Sequence, residues 1–397
     1  MSAAITMNQG SAGRGGFRID PVLVGIVMSI LLLGLIMVMS ASMPNAAHEG
    51  GHPFSYFKSQ SILALGGLAL AACLCLIPTS VYEKHANTLL IAAGLMLVLV
   101  LIPGIGHMAK GGRRWLQLAG FNLQASEVAR VLVLCWVASY AVRREQELRE
   151  TFMGLVRPLG VTALFCALLY FEPDFGALTV LFVTVFGLLF LAGARLRWVI
   201  TCILVAVVPF TALMVAEPYR VKRLVTFMDP WQHALDSGFQ LTQSLMAIGR
   251  GEWFGVGLGN SVLKLSYLPE AHTDFVFAVL AEELGLAGVL LTLGLFLALV
   301  WRVLHIARQA SDAGMKFQSY MAGAFAIWVG VQMLINIGVN TGSLPTKGLT
   351  LPFMSYGRSS LLVTLAWFGM ILRIQHEVAS GGRGAARVAR RDAGDEA

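Results

Sequence analysis

The sequence predicts an all-α integral membrane protein of ten transmembrane helices, with a long periplasmic loop between the seventh and the eighth. Three observations predict it. Of the 397 residues, 57% are hydrophobic and only 13% charged, where soluble domains carry roughly a quarter charged residues. Apolar runs recur almost from end to end, many of them close to the roughly 17–25 residues that cross hydrocarbon. A single stretch, 217–273, is long, glycine-rich and mixed in polarity. Such a chain cannot cover itself with polar surface, so the bilayer is its solvent.

The first run, 22–42, follows Arg14 and Arg18 as a signal peptide would, but it is too long and lacks a small-residue cleavage site, so it reads as a retained anchor. Runs at 60–77, 88–102 and 126–142 come next. Those at 159–171 and 176–192 form a tight pair around Glu172 to Gly176, and 198–216 leads into the long loop. The last three are 275–301, 319–339 and 360–372. Residues 21–375 therefore make one membrane domain, flanked by tails at 1–20 and 376–397 expected to be disordered and cytoplasmic. The second tail is basic through Arg383, Arg387, Arg390 and Arg391, and suited to anionic lipid. Cys73, Cys75, Cys135, Cys166 and Cys202 fall within expected spans, where they serve as small core residues rather than disulfides or zinc ligands.

With the amino terminus in the cytoplasm and Arg130 set aside as intramembrane, 17 Lys and Arg lie on the cytoplasmic side and 11 on the outer side. The outer ones concentrate in two places: Lys110, Arg113 and Arg114, then Arg220, Lys222, Arg223, Arg250 and Lys264. Cations retained outside suggest an anionic ligand; the plain alternative is lipid head groups or solvated loops.

The long loop holds Gly249, Gly251, Gly255, Gly257 and Gly259, and its middle, 240–250, has the pattern of a short amphipathic helix at the interface. It ends in Tyr267-Leu268-Pro269-Glu270-Ala271-His272-Thr273-Asp274-Phe275. Pro269 suits a helix start, so Thr273 or Asp274 could be an ordinary cap. Against that, Asp274 stands at the outer surface of the eighth span, where an ionisable group is costly and a functional candidate. Glu282 and Glu283 lie two turns deeper, Glu282 about 80° round from Asp274, and read as structural bonds between helices.

Three further polar clusters sit at span ends. Gln124-Ala125-Ser126-Glu127 opens the fourth span, with Glu127 and Arg130 spaced for an internal ion pair. Glu172-Pro173-Asp174 joins the fifth and sixth, and 336–360 forms a re-entrant or hairpin loop before the last. In this topology all of them face the same side as Asp274. Chance would have divided them.

At these residues the sequence resembles the SEDS family of polytopic peptidoglycan glycosyltransferases, over roughly 20–375. The most specific stretches are Gly249 to Gly259, Tyr267 to Phe275 continuing through Ala281-Glu282-Glu283-Leu284-Gly285, and Leu344 to Ser360. The segment from Gly338 to Leu349 is similar to the cell-division (FtsW) branch rather than the elongation (RodA) branch. The resemblance implies ten spanning helices and polymerisation of lipid II on the outer face of a bacterial inner membrane, at the division septum. It implies a class B penicillin-binding protein as partner, with other division proteins and no nucleic acid. The family's essential aspartate falls on Asp274, its Arg-Arg-Trp loop on Arg113, Arg114 and Trp115, its Ser-Glu motif on Ser126 and Glu127, and its Lys-Gly loop on Lys347 and Gly348. The motifs also carry Glu127, His272 and Ser355 as substrate-binding candidates. Ala125 stands where the family has proline, and Arg358 where it has glycine.

The chemistry implied fits this inventory. Moving a glycan from a diphosphate to a sugar hydroxyl needs one base and positive charge for the departing phosphates; unlike glycoside hydrolysis, it needs no second carboxyl as acid. Asp274 is the expected base, with Arg113, Arg114 and Lys347 as phosphate or glycan contacts. A divalent cation, Mg or Mn, could share that role. The rival classes are a lipid II transporter, for which no inverted repeat is evident, and a non-catalytic division scaffold.

Overall fold

Every apolar run in the sequence becomes helix, because backbone amides and carbonyls in hydrocarbon have only each other as partners. The computed structural model describes residues 18–48, 52–109, 112–118, 121–215, 218–262, 264 and 270–395. In chain order the elements are α1 (Pro21–His48), α2 (Ser55–Cys75), α3 (Thr79–Lys84), α4 (Ala86–Leu101), β1 (Gly106–Ala109), β2 (Gly112–Leu118), β3 (Phe121–Gln124), α5 (Ala125–Arg143), α6 (Glu145–Glu150), α7 (Phe152–Phe171) and α8 (Phe175–Leu191). There follow α9 (Leu196–Val215), α10 (Pro218–Met228), α11 (Phe239–Arg250), α12 (Val276–Asp312), α13 (Lys316–Asn340) and α14 (Arg358–Asp395).

The ten expected runs lie on α1, α2, α4, α5, α7, α8, α9, α12, α13 and α14. Among the described residues, seven of these are long and apolar enough to cross a membrane; α4, α8 and the apolar part of α9 are shorter. Helices α5 and α13 are the most deeply enclosed and form the centre of the bundle. The helix α14 continues past residue 375, and residues 1–17 of the first tail lie outside the described residues.

Two features were not expected. The loop after α4 folds into an antiparallel sheet in the order β1-β2-β3, with Trp115 opposite both His107 and Gln124. The fifth run also starts earlier than its hydropathy suggests. Pro158 leaves the carbonyl of Gly154 without its helical partner, and the Tyr140 hydroxyl of α5 donates to it at 3.0 Å. With that gap filled, α7 runs unbroken from a Thr151 cap that accepts from Gly154 N at 3.1 Å.

The end of the bundle away from the long loop is tied by charge. Arg302 meets Asp20 at 2.6 Å, Arg373 meets Glu377 at 2.7 Å, Arg157 meets Glu147 at 2.6 Å, and Lys316 pairs with Glu145. Arg373 and Glu377 lie one turn apart on α14, whereas the other three pairs join different segments and fix which helix ends are neighbours.

The eighth run is not one helix. At Gly285 (φ 63°, ψ −161°) α12 breaks, and four backbone groups lose their intrahelical partners. Segment 252–257 supplies replacements for all four. The amides of Leu286 and Ala287 donate to the carbonyls of Glu252 and Trp253 at 2.9 and 3.1 Å, while the carbonyls of Glu282 and Glu283 accept from Val256 and Gly257 at 3.0 and 3.1 Å. Two glycines of this loop permit that approach. A Cβ on Gly251 would lie 1.8 Å from the Ala281 carbonyl, and one on Gly255 would lie 2.1 Å from that of Glu283.

Below the break α12 turns Leu286, Leu290, Leu291 and Leu297 outward; above it, every residue from Val276 to Glu283 is buried in protein. Trp253 and Phe254, beside the break, are exposed, as aromatics at a membrane interface are. The candidate span on this element is Val276–Asp312, in line with the expected start at Phe275. Asp274 stands about 16 Å above the break, at 1.5 Å per residue.

The backbone at Gly285 belongs to a region that only glycine occupies cheaply. Gly285→Ala should lower the thermal midpoint of the purified protein by several degrees, on the order of 1–3 kcal/mol. Gly294→Ala on the same helix meets no atom within 4 Å and should leave the midpoint unchanged or raised.

Candidate active site

The connections on the long-loop side meet as one polar layer. Gln60 donates to the Ser355 carbonyl at 3.1 Å, Gln124 N to Ser359 Oγ at 2.9 Å, and Arg223 Nη1 to the Thr346 carbonyl at 3.1 Å. The single-sidedness expected from topology is thus a physical contact between loops.

Asp274 sits at the centre of this layer. It does not cap α12: the cap residue is Phe275, with no side-chain bond, and Thr273 Oγ1 turns back to Glu270, 2.7 Å from its carboxylate and 3.1 Å from its carbonyl. Pro269, expected to start the helix, lies outside the described residues. The Asp274 main-chain carbonyl accepts from Asn336 Nδ2 and Asn340 Nδ2, both at 3.0 Å. Its carboxylate rests against Gly348, where an added Cβ would come within 3.0 Å of Oδ2. The Lys-Gly loop and the aspartate, far apart in sequence, are therefore adjacent.

Lys347 Nζ donates to Thr179 Oγ1 of α8 at 3.2 Å. Burial pulls its pKa below the ordinary lysine range. An ammonium ion with so little water around it is stabilised by an arriving anion.

The other expected cations divide. Lys222 is paired with Asp236 at 2.6 Å, Lys264 with Glu283 at 2.8 Å, and Arg250 with Glu282 at 3.4 Å. These three neutralise the protein's own carboxylates, so the reading of the whole set as ligand contacts is corrected. Glu282 and Glu283 are structural, as expected: Ser261 Oγ donates to Glu282, and Ser40 Oγ donates to Glu283 at 2.6 Å. Lys110 and the side chain of Arg220 lie outside the described residues.

Arg113 and Arg114 are neighbours on β2 at an irregularity in its pairing with β1: Met108 lies opposite Arg113 and His107 opposite Trp115, which leaves Arg114 as the extra residue. Arg114 is committed to the turn between α7 and α8, donating to the carbonyls of Glu172 at 3.0 Å and Pro173 at 2.6 Å. The two arginines do not form a single pincer. In the same turn Asp174 caps α8, accepting from Ala177 N at 3.0 Å, and takes Ser126 Oγ at 2.8 Å and Gln124 Nε2 at 3.0 Å. The fourth span starts at Ala125 without the family's proline, entered directly from β3.

Glu127 forms a buried ion pair with Arg130, whose guanidinium lies 6.0 Å from the Trp328 ring centre. That pair is internal, and the structure does not bring Glu127 against Asp274. His272 packs with Tyr56 and Tyr356, ring centres 4.8 and 5.4 Å away, and Arg358 Nε donates to the Tyr356 hydroxyl at 3.2 Å. Ser355 Oγ accepts from Leu351 N at 2.8 Å and so shapes the loop from inside. Among the described residues no three His, Cys, Asp or Glu side chains converge as a metal cage.

Three residues of this layer were not among the expected site residues. Asn336 and Asn340 carried a signal, since two amides four apart on an apolar helix are costly unless bonded. Glu172 is the third, fully buried, with neither carboxylate oxygen hydrogen-bonded.

Residues 21–380 match the family model described as cell cycle protein, covering FtsW, RodA and SpoVE. The chain belongs to this family. Among FtsW-type relatives, a probable peptidoglycan glycosyltransferase FtsW of Coxiella burnetii is 47% identical over 90% of this chain and 96% of its own. Another, of Halorhodospira halophila, is 48% identical over 91% of each chain. Two solved structures share the fold. One belongs to work on the structural coordination of polymerization and crosslinking by a peptidoglycan synthase complex (TM-score 0.76, 29% identity, 91% of this chain and 98% of that one). The other is the rod shape determining protein RodA of Thermus thermophilus (TM-score 0.67, 28% identity, 91% and 98%). This FtsW-type chain is accordingly a multi-pass membrane protein of the SEDS class.

Burial, and secondarily the Asp174 carboxylate, push Glu172 up to about 8 against the pull of Arg114, so it holds its proton at neutral pH. A carboxyl raised in the folded state keeps its proton more tightly there, so stability is lost as pH rises from about 4.5 to about 8. Compared with wild type, Glu172→Gln should flatten that decline, with a difference on the order of 2–4 kcal/mol at pH 9 and little at pH 5. Thermal unfolding of both proteins across pH measures it.

Proposed function

We propose that this chain is a peptidoglycan glycosyltransferase that polymerises lipid II into glycan strands, with Asp274 as the base. The observation that carries this is the contact of the Asp274 carboxylate with Gly348, next to the half-buried Lys347. Asp274 removes the proton from the attacking sugar hydroxyl. As the new bond forms at the anomeric carbon, the bond to the lipid diphosphate breaks on the opposite face, inverting the centre. The diphosphate leaves as an anion stabilised by Lys347, with Arg113 of β2 contributing. Arg114 acts one step back, by holding the α7–α8 turn. His272 and Tyr356 offer ring faces beside the site for the sugar.

A divalent cation, if used, must draw most of its ligands from substrate phosphate and water, as magnesium usually does; Asp274 is the carboxylate best placed to complete its shell. The positive-inside count supports a site on the periplasmic side of the inner membrane, and kinship with FtsW proteins supports action at the septum. The likeness to a chain of a polymerising and crosslinking complex supports a class B penicillin-binding protein as partner.

In a gel assay with purified protein, partner and lipid II, wild type should lengthen glycan chains. Asp274→Asn should insert, fold and bind the partner, yet yield at least ~100-fold less polymer. Normal yield from that variant removes Asp274 from the mechanism; no polymer from wild type returns the protein to the transporter or scaffold class.

A further inference from the structure

Asn336 and Asn340 lie four residues apart on one face of α13, and both are buried. The amide nitrogen of Asn336 carries two hydrogens and gives them to two different segments, the Asp274 carbonyl at 3.0 Å and the Leu349 carbonyl at 2.7 Å. Asn340 Nδ2 gives the Asp274 carbonyl a second bond at 3.0 Å, and its Oδ1 accepts from Ala278 N at 3.2 Å. Leu349 directly follows Gly348, against which the Asp274 carboxylate rests. One side-chain nitrogen therefore spans the gap between the acid and the loop that carries Lys347.

We propose that Asn336 is a positioning residue for glycan transfer, its two bonds fixing the distance between the Asp274 carboxylate and the Lys347–Gly348 loop. This rests on the reading of Asp274 as the base. Asparagine suits the task because it alone offers two donors on one nitrogen at this short reach. Serine offers one donor, and aspartate turns an acceptor toward two acceptors. Reacting groups displaced by about 1 Å lose rate on the order of 100-fold, so this gap is where such precision matters.

The test compares wild type, Asn336→Asp, Gly348→Ala and the double variant, each with its partner, in polymerisation assays over a range of lipid II concentrations. Thermal midpoint and co-purification of the partner establish folding. Asn336→Asp should lower kcat at least about tenfold while KM changes less than about threefold. Gly348→Ala disturbs the same spacing by pressing a methyl on Asp274. The double variant should therefore fall within about twofold of the slower single variant. If Asn336→Asp is folded and within twofold of wild-type kcat, or if the two effects multiply, Asn336 is an ordinary packing residue. Should Asn336→Asp not fold, Asn336→Ser, which keeps one donor, is held to the same criteria. Failure here is distinct from failure of the activity itself, which appears as an inactive wild type, and from failure of the base assignment, which appears as an active Asp274→Asn.

Discussion

A helix that breaks in apolar surroundings must have its freed backbone groups answered, and in this protein the answer at Gly285 organises everything above it. The segment 252–257 repairs the break with four hydrogen bonds. To reach that depth it needs glycine at 251 and 255 and a side-chain network to hold it down. Glu282 and Glu283 provide the network, bonding Ser261, Lys264, Arg250 and, across to α1, Ser40. Burying two adjacent carboxylates is costly unless each is paired and hydrogen-bonded, and each is. With the loop seated, α11 is fixed along α12, and Ser244 of α11 donates to the Asn340 carbonyl at 2.8 Å. Asn340 in turn holds Asp274. A repair of backbone hydrogen bonds at Gly285 is thus connected, bond by bond, to the placement of the acid about 16 Å higher.

The same constraint explains how the cations are used. Positive charge on the outer side of a membrane protein invites a ligand interpretation, yet Lys222, Arg250 and Lys264 are already matched to internal carboxylates. Lys347 differs: it donates to a neutral threonine hydroxyl, that of Thr179, and its burial favours the uncharged form. A charge with so little water around it gains most from an incoming phosphate. Glu172 shows the converse, a buried carboxyl that keeps its proton instead of acquiring a cation.

Much of the architecture was legible in the sequence because hydrocarbon imposes a length and a polarity on anything that crosses it. All ten runs became helix, 240–250 became α11, and the loops clustered at one end. The site was legible in part, through Asp274 and the Lys347-Gly348 pair, because an acid at the head of an apolar run stands out on cost alone. The remainder depended on long-range geometry. No local pattern reveals that Gly285 breaks a continuous apolar helix, since the stretch on either side keeps its hydropathy. Nor does the Arg113-Arg114 doublet reveal that Arg114 will be committed to the carbonyls of Glu172 and Pro173. The roles of Asn336 and Asn340 require knowing which carbonyls lie opposite, and those carbonyls come from segments that the sequence does not align.

The central claim is that this polar layer, with Asp274 in it, faces out of the cell. Arg358 is exposed within the layer, and Ser311 is exposed at the far end of α12. In a background with the five native cysteines replaced, single cysteines at these two positions can be treated in intact cells with a membrane-impermeant thiol reagent. The account predicts that Arg358→Cys is labelled in intact cells, and that Ser311→Cys is labelled only after lysis. The opposite pattern would turn the layer toward the cytosol and contradict the account.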